Sequence, residues 1–346
     1  MTGKKVHVLM TGAGAPGAAG IIRCLQEADW IQLTVADADE AAVGRHLCND
    51  FVLIPKANDT NFVEALLTIC RQKEIYVVLP LITRELFPLA RNKHLFEKKG
   101  IKVLVSSFDA IEIANNKSTC YQFLQKQGIA IPKFFVVKTV EEFIHAAFEL
   151  DHPQKSFVFK PSIANGSRGV RIVSDSIDES EQLFNNKPYN LFITYAHALK
   201  ILSSKSFPEL LLSEYLPGDE YSVDCIADEG NVRLIVPRIR QKMINGISVQ
   251  GQFINDERIR EYCTQIIKAI GLHGNVGIQV KMSKDNLPLL LEINPRVQGT
   301  IVAGLGAGIN LPLLAIKQAL QLSIYENEWQ VRWETSFSRY WSEVFY

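Results

Sequence analysis

The chain has 346 residues, more than one ordinary hydrophobic core needs, and this length predicts roughly two or three domains. Lysine and arginine together number 37, as do aspartate and glutamate, so no excess of one charge would attract nucleic acid or an anionic membrane. The six cysteines and seven histidines are scattered, which argues against a zinc site or a cysteine-histidine nucleophile. An apolar strand follows the N-terminus directly, without the long apolar segment of a signal peptide, and we expect a cytoplasmic protein.

Residues 1–108 alternate short β-branched strands with amphipathic helices, and we predict a Rossmann-like domain of the α/β class. In its first turn, Gly12, Gly14 and Gly17 have the G-x-G-x-x-G spacing of a dinucleotide site. Asp37 lies about where a ribose-binding acid would follow. One interpretation of this segment is therefore an NAD-dependent oxidoreductase, although the spacing alone is a weak signal.

The pattern changes after residue 108. A helix is predicted over residues 109–128, and further along comes a strand, a glycine loop and a second strand. This loop differs from a Walker-type loop because no helix follows its glycines directly. Residues 189–346 predict strands joined by turns, with helices at 256–271 and 310–320. The second part of the chain is therefore predicted to be α+β, with a substantially antiparallel sheet.

The stretch "LPLLLEINPRVQGT" carries the most specific chemistry. On a strand, Glu292 and Asn294 project from one face, and hairpin pairing with the preceding strand brings Gln279 near Glu292. A carboxylate and amide oxygens suit a Mg²⁺ ion that also binds nucleotide phosphates. Arg296 follows just beyond the strand and can donate two parallel hydrogen bonds to a phosphate or carboxylate. The alternative is an ordinary strand that ends in a polar Asn-Pro turn.

Two further segments have the chemistry of a nucleotide site. Lys160 closes a strand directly before a loop in which Gly166 and Gly169 can offer backbone N–H groups to phosphates. The strand that ends at residues 214–216 can line an adenine pocket, with Glu220 beyond a Pro-Gly turn accepting from ribose hydroxyls. Each segment alone is also compatible with a plain hairpin.

The order of these segments, together with "ANNKSTC", resembles the ATP-grasp superfamily, in particular one module of the carbamoyl phosphate synthetase large chain and stand-alone carboxylate-amine ligases. The resemblance implies a Rossmann-like pre-ATP-grasp domain over 1–108, a linker helix and lid subdomain over 109–188, and an ATP-grasp C-terminal subdomain with a metal site over 189–346. It implies ATP as the nucleotide and Mg²⁺, with Mn²⁺ as the alternative metal. The implied ATP-binding residues are Lys117, Lys160, Gly166, Ser167, Arg168, Gly169, Glu214, Tyr215, Leu216 and Glu220. The implied metal ligands are Gln279, Glu292 and Asn294, and the implied catalytic residues are Lys160 and Arg296.

The activity that this resemblance implies is an ATP-dependent ligase, in which a carboxylate becomes an acyl phosphate and an amine or ammonia then displaces the phosphate. The alternatives are phosphorylation of carboxyphosphate or carbamate, a non-catalytic ATP-binding module and, from the opening glycines alone, the oxidoreductase. For substrate binding we predict Arg238 and Arg240, on one strand face, and Arg84 and Glu85, after the carboxyl end of a strand. The expected partners are small-molecule carboxylates and amines, and the resemblance implies a homodimer.

Overall fold

The structure is a computed structural model that describes residues 5–164, 166, 168–185 and 191–346. Three units follow one another along the chain, each built on one sheet. The predicted combination of a parallel α/β part and an antiparallel α+β part is confirmed. No helix within the described ranges is long and apolar enough to cross a membrane.

The first unit holds β1 (Val6–Thr11), α1 (Ala18–Gln26), β2 (Ile31–Asp37), β3 (Phe51–Leu53), α2 (Phe62–Gln72), β4 (Val77–Pro80), α3 (Thr83–Arg91), α4 (Lys93–Glu97) and β5 (Lys102–Val103). Its five strands are parallel, in the order β3-β2-β1-β4-β5. Such a sheet binds ligands at the carboxyl ends of its strands, where β1 ends at Thr11 and β4 ends at Pro80.

The second unit holds α5 (Phe108–Asn115), α6 (Lys117–Lys126), β6 (Phe134–Val137), α7 (Val140–Glu149), β7 (Phe157–Pro161), β8 (Arg171–Val173), α8 (Glu179–Asn185), β9 (Phe192–Ile193), α9 (Tyr195–Ser204) and β10 (Leu210–Glu214). The sheet order is β6-β10-β7-β8-β9, antiparallel except for the pair β8 and β9. Its strands come from both sides of residue 188, where the sequence predicted a boundary, and the domain limits stay predictions.

The single helix predicted over residues 109–128 is in fact two helices, because Asn116 is extended, with φ −110° and ψ 109°. The Asn116 side chain accepts the N–H groups of Ser118 and Thr119 at 3.0 and 3.1 Å, and so caps the second helix. This cap places Lys117 at the first position of α6.

The third unit holds β11 (Glu220–Asp228), β12 (Asn231–Ile244), β13 (Ile247–Phe253), α10 (Glu257–Ile270), β14 (Gly274–Met282), β15 (Pro288–Asn294), α11 (Ala303–Gly306), α12 (Leu311–Ala319) and β16 (Ser336–Ser338). The six strands are antiparallel, in the order β15-β14-β11-β12-β13-β16. Val223, Ile278 and Ile293 pack in one core cluster with the buried side of α10. The neighbouring side chains on these strands therefore face the opposite side of the sheet.

A bulge interrupts the pairing of β14 with β15. Gln279 lies opposite Glu292 and Val280 lies opposite Leu290, so Leu291 has no partner residue. Leu290 and Ile293 are buried in the core cluster. The extra residue thus keeps apolar side chains in the core while Glu292 faces the open side of the sheet.

The opening glycines join the first unit to the third. A Cβ atom on Gly17 would lie 2.3 Å from the Cα of Gly299, and one on Gly20 would lie 2.7 Å from Val302 Cγ1. Both contacts are too close for any side chain, which explains glycine at these positions. Gly17, the last glycine of the dinucleotide-like spacing, is therefore required for packing between two units, whether or not the loop contacts a ligand.

We expect Gly17→Ala to lower the free energy of unfolding by about 1–3 kcal/mol, because the methyl group overlaps the Gly299 backbone. Gly306→Ala is the matched control, since no atom lies within 4 Å of its added Cβ, and its unfolding free energy should stay the same or rise slightly. Urea unfolding measures both variants. Equal stability of the two would contradict the packing role of Gly17.

Candidate functional site

The predicted metal ligands lie together on the open face of the third sheet. Gln279 is directly opposite Glu292 on the neighbouring strand. Asn294 lies two residues after Glu292, on the same face of the strand, and is opposite Gly277. The Asn294 amide donates to Glu292 Oε1 at 3.3 Å. Two side-chain amides and one carboxylate therefore converge at this end of β14 and β15, as the hairpin pattern predicted.

Two lysines from the second unit reach the same place. Lys117 Nζ lies 3.5 Å from Glu292 Oε2 and donates to the carbonyl of Ala164 at 2.7 Å. Lys160 Nζ donates to the carbonyl of Leu291, the bulge residue, at 2.8 Å. Burial lowers the pKa of Lys160 to about 8, against the opposing effect of Glu292. The site therefore lies where the second and third units meet.

Arg296 connects this site to the first unit. Its Nε donates to Thr83 Oγ1 at 3.0 Å, and Thr83 begins α3 just after the end of β4. The two terminal nitrogens donate to the Val297 carbonyl at 2.9 Å and to Asn294 Oδ1 at 3.2 Å. Burial lowers the pKa of Arg296, although Glu292 opposes this effect. Residues from all three units thus contribute to one site.

The charges of this site are unbalanced. Lys117, Lys160 and Arg296 lie near Glu292, and the other nearby carboxylate, Glu220, is already paired with Arg240. Such a surplus of buried positive charge favours an anionic ligand that carries several negative charges. Within the described ranges no three His, Cys, Asp or Glu side chains form a metal cage. One carboxylate with amide oxygens instead fits Mg²⁺ that is also held by a ligand's phosphates.

Two family models match the chain. One is described as ATP-grasp in the biosynthetic pathway with Ter operon and covers residues 206–343, and the other, a PylC-like N-terminal domain, covers residues 8–104. N5-carboxyaminoimidazole ribonucleotide synthetase, solved as an ADP complex, has the same fold, with a TM-score of 0.70 at 14% identity over 97% of this chain and 81% of that chain. The chain thus has the ATP-grasp fold, and residues 206–343 match an ATP-grasp family model.

Two further proteins are similar to the chain. The carbamoyl phosphate synthase large chain of Clostridium botulinum (strain Eklund 17B / Type B) is 30% identical over 219 residues, which are 60% of this chain and 18% of that protein. The chain thus matches less than a fifth of that relative's length. The L-amino acid ligase of Bacillus licheniformis has a TM-score of 0.64 at 17% identity over 95% of this chain and 78% of that chain.

The predicted adenine segment connects the second sheet to the third. Glu214 ends β10, and its carboxylate accepts the N–H of Lys133 at 2.8 Å. Leu216 is buried, and Tyr215 lies under Lys281, whose Nζ is 4.9 Å from the ring centre. The segment therefore lies between the two sheets, and its contact with a base stays a prediction.

The predicted glycine loop lies between β7 and β8. Gly166 and Gly169 have φ values of +64° and +75°, which glycine adopts without strain. A Cβ on Gly169 would lie 2.7 Å from the ring of Pro161, so this glycine also permits a close approach. Arg168 is exposed, and Ser167 lies outside the described residues. The loop is attached to the site through the contact of Lys117 with Ala164.

Glu220 and Arg240, predicted to bind ribose and substrate respectively, contact each other. The Arg240 guanidinium donates to the Glu220 carboxylate, to the Gly246 carbonyl and, at 3.0 Å, to Ser248 Oγ. Both side chains therefore already have partners, and either role would require this pairing to change. Arg238, the other predicted substrate residue, lies on β12 as predicted and is buried, and its role in substrate binding stays a prediction.

The predicted pair after β4 is divided between surface and interior. Arg84 is exposed, whereas Glu85 is buried and accepts a hydrogen bond from Thr11 Oγ1 at 2.5 Å. Burial raises the pKa of Glu85 to about 7, against the lowering effect of the Thr11 hydroxyl. Glu85 thus lies at the carboxyl ends of β1 and β4, and its role in substrate binding stays a prediction.

Asp37, which a dinucleotide site would need for ribose, has two other partners. Its carboxylate accepts the N–H of Gly14 at 2.7 Å and the N–H of Asp39 at 2.9 Å. The Asp37 carboxylate therefore connects the glycine turn to the end of β2. These two bonds account for Asp37 without a bound nucleotide.

Sequence reasoning missed two groups of the site. The carbonyl of Leu291 holds Lys160, and no side-chain pattern marks it. The ring of Tyr121 lies 5.5 Å from Lys160 Nζ, and its hydroxyl donates to the Leu290 carbonyl. Tyr121 follows Lys117 by one helical turn, so their shared face on α6 was a signal for this residue.

Proposed function

We propose that the chain is an ATP- and Mg²⁺-dependent ligase that activates a substrate carboxylate as an acyl phosphate, which an amine or ammonia then attacks. The observation that carries this proposal is that three cations lie near Glu292 where the three units meet: Lys117 at 3.5 Å, Lys160 on the carbonyl of Leu291, and Arg296 between Asn294 and Thr83. An excess of fixed cations beside oxygen ligands suits phosphoryl transfer, which depends on positioning and charge stabilisation. The ADP bound in the related synthetase supports the choice of nucleotide.

Each residue has a defined part in the proposed reaction. Glu292, Asn294 and Gln279 would hold Mg²⁺, which neutralises phosphate charge when bound. Lys117 and Lys160 bind phosphate oxygens of ATP from the side of the second unit. Arg296 stabilises the charge on the transferred phosphoryl group.

The bond changes balance as follows. A carboxylate oxygen attacks the γ-phosphorus, the bond from this phosphorus to the β–γ bridging oxygen breaks, and ADP leaves. The amine nitrogen then attacks the acyl carbon, the bond from this carbon to the phosphate oxygen breaks, and phosphate leaves as the nitrogen loses a proton to solvent. No covalent enzyme nucleophile is needed.

The affinity for ATP should fall as the pH rises above about 8. Lys160 binds phosphate in its charged form, and burial lowers its pKa to about 8 in the free protein, so above this pH a proton must be taken up on binding. We expect a dissociation constant that is flat below pH 8 and rises by up to about tenfold per pH unit above it. Titration calorimetry from pH 6.5 to 9.5 measures this. Lys160→Arg should remove the rise, and a rise that persists in this variant would contradict the assignment to Lys160.

The proposed activity is tested by phosphate and ADP release across panels of carboxylates and amines, with binding of ATP and NAD measured in parallel. We expect ATP binding that needs Mg²⁺, no NAD binding, and ADP release that requires one carboxylate and one amine together. ATP binding without substrate-dependent ADP release would instead indicate a sensing module. Turnover that depends on bicarbonate would indicate phosphorylation of carboxyphosphate or carbamate.

A further inference from the structure

Arg238 and Asp224 form an ion pair inside the third unit that uses only part of its hydrogen-bonding capacity. Arg238 Nε donates to Asp224 Oδ2 at 2.7 Å, and the two side chains are 1% and 2% exposed. No described residue forms a hydrogen bond with Arg238 Nη1, Arg238 Nη2 or Asp224 Oδ1. The pair therefore leaves strong donors and one acceptor unused in the interior.

Unused polar atoms of this kind are uncommon in folded proteins. Buried donors and acceptors almost always have a protein, water or ligand partner. A second ion pair joins the same two strands, Arg233 with Asp228 at 3.2 Å, but its side chains are half exposed and solvent can satisfy them. The unused atoms of Arg238 and Asp224 thus require a partner that the protein itself does not supply.

Arg238 lies on the same face and in the same row as the metal ligands. The row crosses four strands through Glu292, Gln279, Ser222 and Arg238, each opposite the next. At a strand spacing of about 4.8 Å, the Cα atoms of Glu292 and Arg238 are about 14 Å apart. A ligand that reacts beside Glu292 can therefore reach Arg238 only with a remote part of its structure.

The surroundings of Arg238 favour an anion. Phe253 and Phe337 hold their ring centres 6.0 and 5.7 Å from the guanidinium carbon. Arg339 lies close to Arg238. Burial lowers the pKa of Arg339, and the positive charge of Arg238 lowers it further. The negative charge of Asp224 is thus accompanied by two positive charges, those of Arg238 and Arg339.

One edge strand covers this region. β16 is three residues long, forms the edge of the sheet and pairs with β13 alone among the described strands, with Phe337 opposite Gly251. A Cβ on Gly251 would lie 2.9 Å from the Phe337 ring, so the ring fits against the glycine backbone. Displacing so short a strand breaks few hydrogen bonds, which gives a ligand a route to Arg238.

We propose that Arg238 and Asp224 bind the α-amino acid head group of the substrate, with β16 closing over it. The head-group carboxylate accepts from Nη1 and Nη2 of Arg238, and the ammonium group donates to Oδ1 of Asp224. The substrate is then an amino acid whose second, side-chain carboxylate lies at Glu292 and is phosphorylated. This inference rests on the proposed ligase function.

The first test uses the unmodified protein and a series of paired acids. Each amino diacid is compared with the same dicarboxylic acid lacking the amino group. The assay is ATP-dependent phosphate release in the presence of ammonia, and the amino diacids are L-aspartate, L-glutamate, L-2-aminoadipate and L-2-aminopimelate. We expect at least one amino diacid to support turnover, with a KM at least about tenfold below that of its deaminated counterpart. Equal KM values within each pair would overturn the proposal. Turnover that is confined to acids outside this series would also overturn it, while leaving the ligase function intact.

The second test uses variants of the ion pair. Arg238→Met should raise the KM for the amino diacid on the order of 100-fold and Arg238→Lys about tenfold, with an unchanged dissociation constant for ATP. Arg233→Met, on the exposed pair, is the matched control and should change neither value. If Arg238→Met fails to fold, Arg238→Lys and the paired acids decide the question. An unchanged KM in a folded Arg238→Lys variant would overturn the proposal, whereas absence of ATP binding in the unmodified protein would overturn the ligase function itself.

Discussion

Glu292→Gln should lower ATP turnover at saturating Mg²⁺ by at least about 10³-fold. Glu292 is the single carboxylate among the predicted metal ligands and the counterion of Lys117, at 3.5 Å. The substitution keeps the size of the side chain but removes its charge, so Mg²⁺ loses its only anionic protein ligand in this set. The lysines then face the phosphates without a counterion, and we expect ATP binding to persist and to depend less on Mg²⁺.

Phosphate release measured against Mg²⁺ concentration tests this prediction, with the dissociation constant for ATP measured separately. Glu229→Gln is a suitable control because Glu229 is exposed in the turn between β11 and β12 and far from the site row. Full activity of Glu292→Gln at ordinary Mg²⁺ concentrations would remove the metal assignment. Loss of ATP binding together with turnover would shift the role of Glu292 to holding the lysines.

Arg296→Lys should lower kcat by about 10²- to 10³-fold with little change in the dissociation constant for ATP. Arg296 uses three nitrogens to contact Thr83, Val297 and Asn294, and a lysine ammonium cannot make these contacts at once. The charge is kept, so the expected loss reflects geometry at the transferred phosphoryl group. Single-turnover kinetics isolates this step from product release.

Arg45→Lys provides the control for the same exchange at an exposed ion pair, that of Arg45 with Glu40. Its activity should match that of the unmodified protein. If Arg296→Lys keeps its kcat and instead loses affinity for ATP, then Arg296 binds the nucleotide in its ground state and does not act on the transferred group.

The proximity of the three predicted metal ligands could be inferred from the sequence because it is local. Gln279, Glu292 and Asn294 lie on one hairpin, where strand alternation and turn pairing fix which side chains meet. The break at Asn116 could also have been predicted, since asparagine before a helical stretch is a common cap. These features depend on a few neighbouring residues.

Other features depend on contacts between distant parts of the chain. The bond between Arg296 and Thr83 joins residues 213 positions apart, and no local pattern indicates it. The burial of Arg238 depends on Phe337, which comes from the last strand. The alternation on β12 correctly placed Arg238 and Arg240 on one face, but the coverage of that face was decided elsewhere. Similarly, no local pattern shows that Gly17 is needed for its contact with Gly299, 282 positions further along the chain.

The bulge at Leu291 has a consequence for mutational tolerance. Lys160 is held by a main-chain carbonyl, which every amino acid possesses, so replacing the Leu291 side chain cannot remove this acceptor. Deleting Leu291 would restore regular pairing and leave Glu292 on the same face, yet it would take away the carbonyl that Lys160 requires. Substitutions of Leu291 should therefore change activity little, whereas deletion of this one residue should reduce activity severely. At this position the site depends on the number of residues and not on their identity.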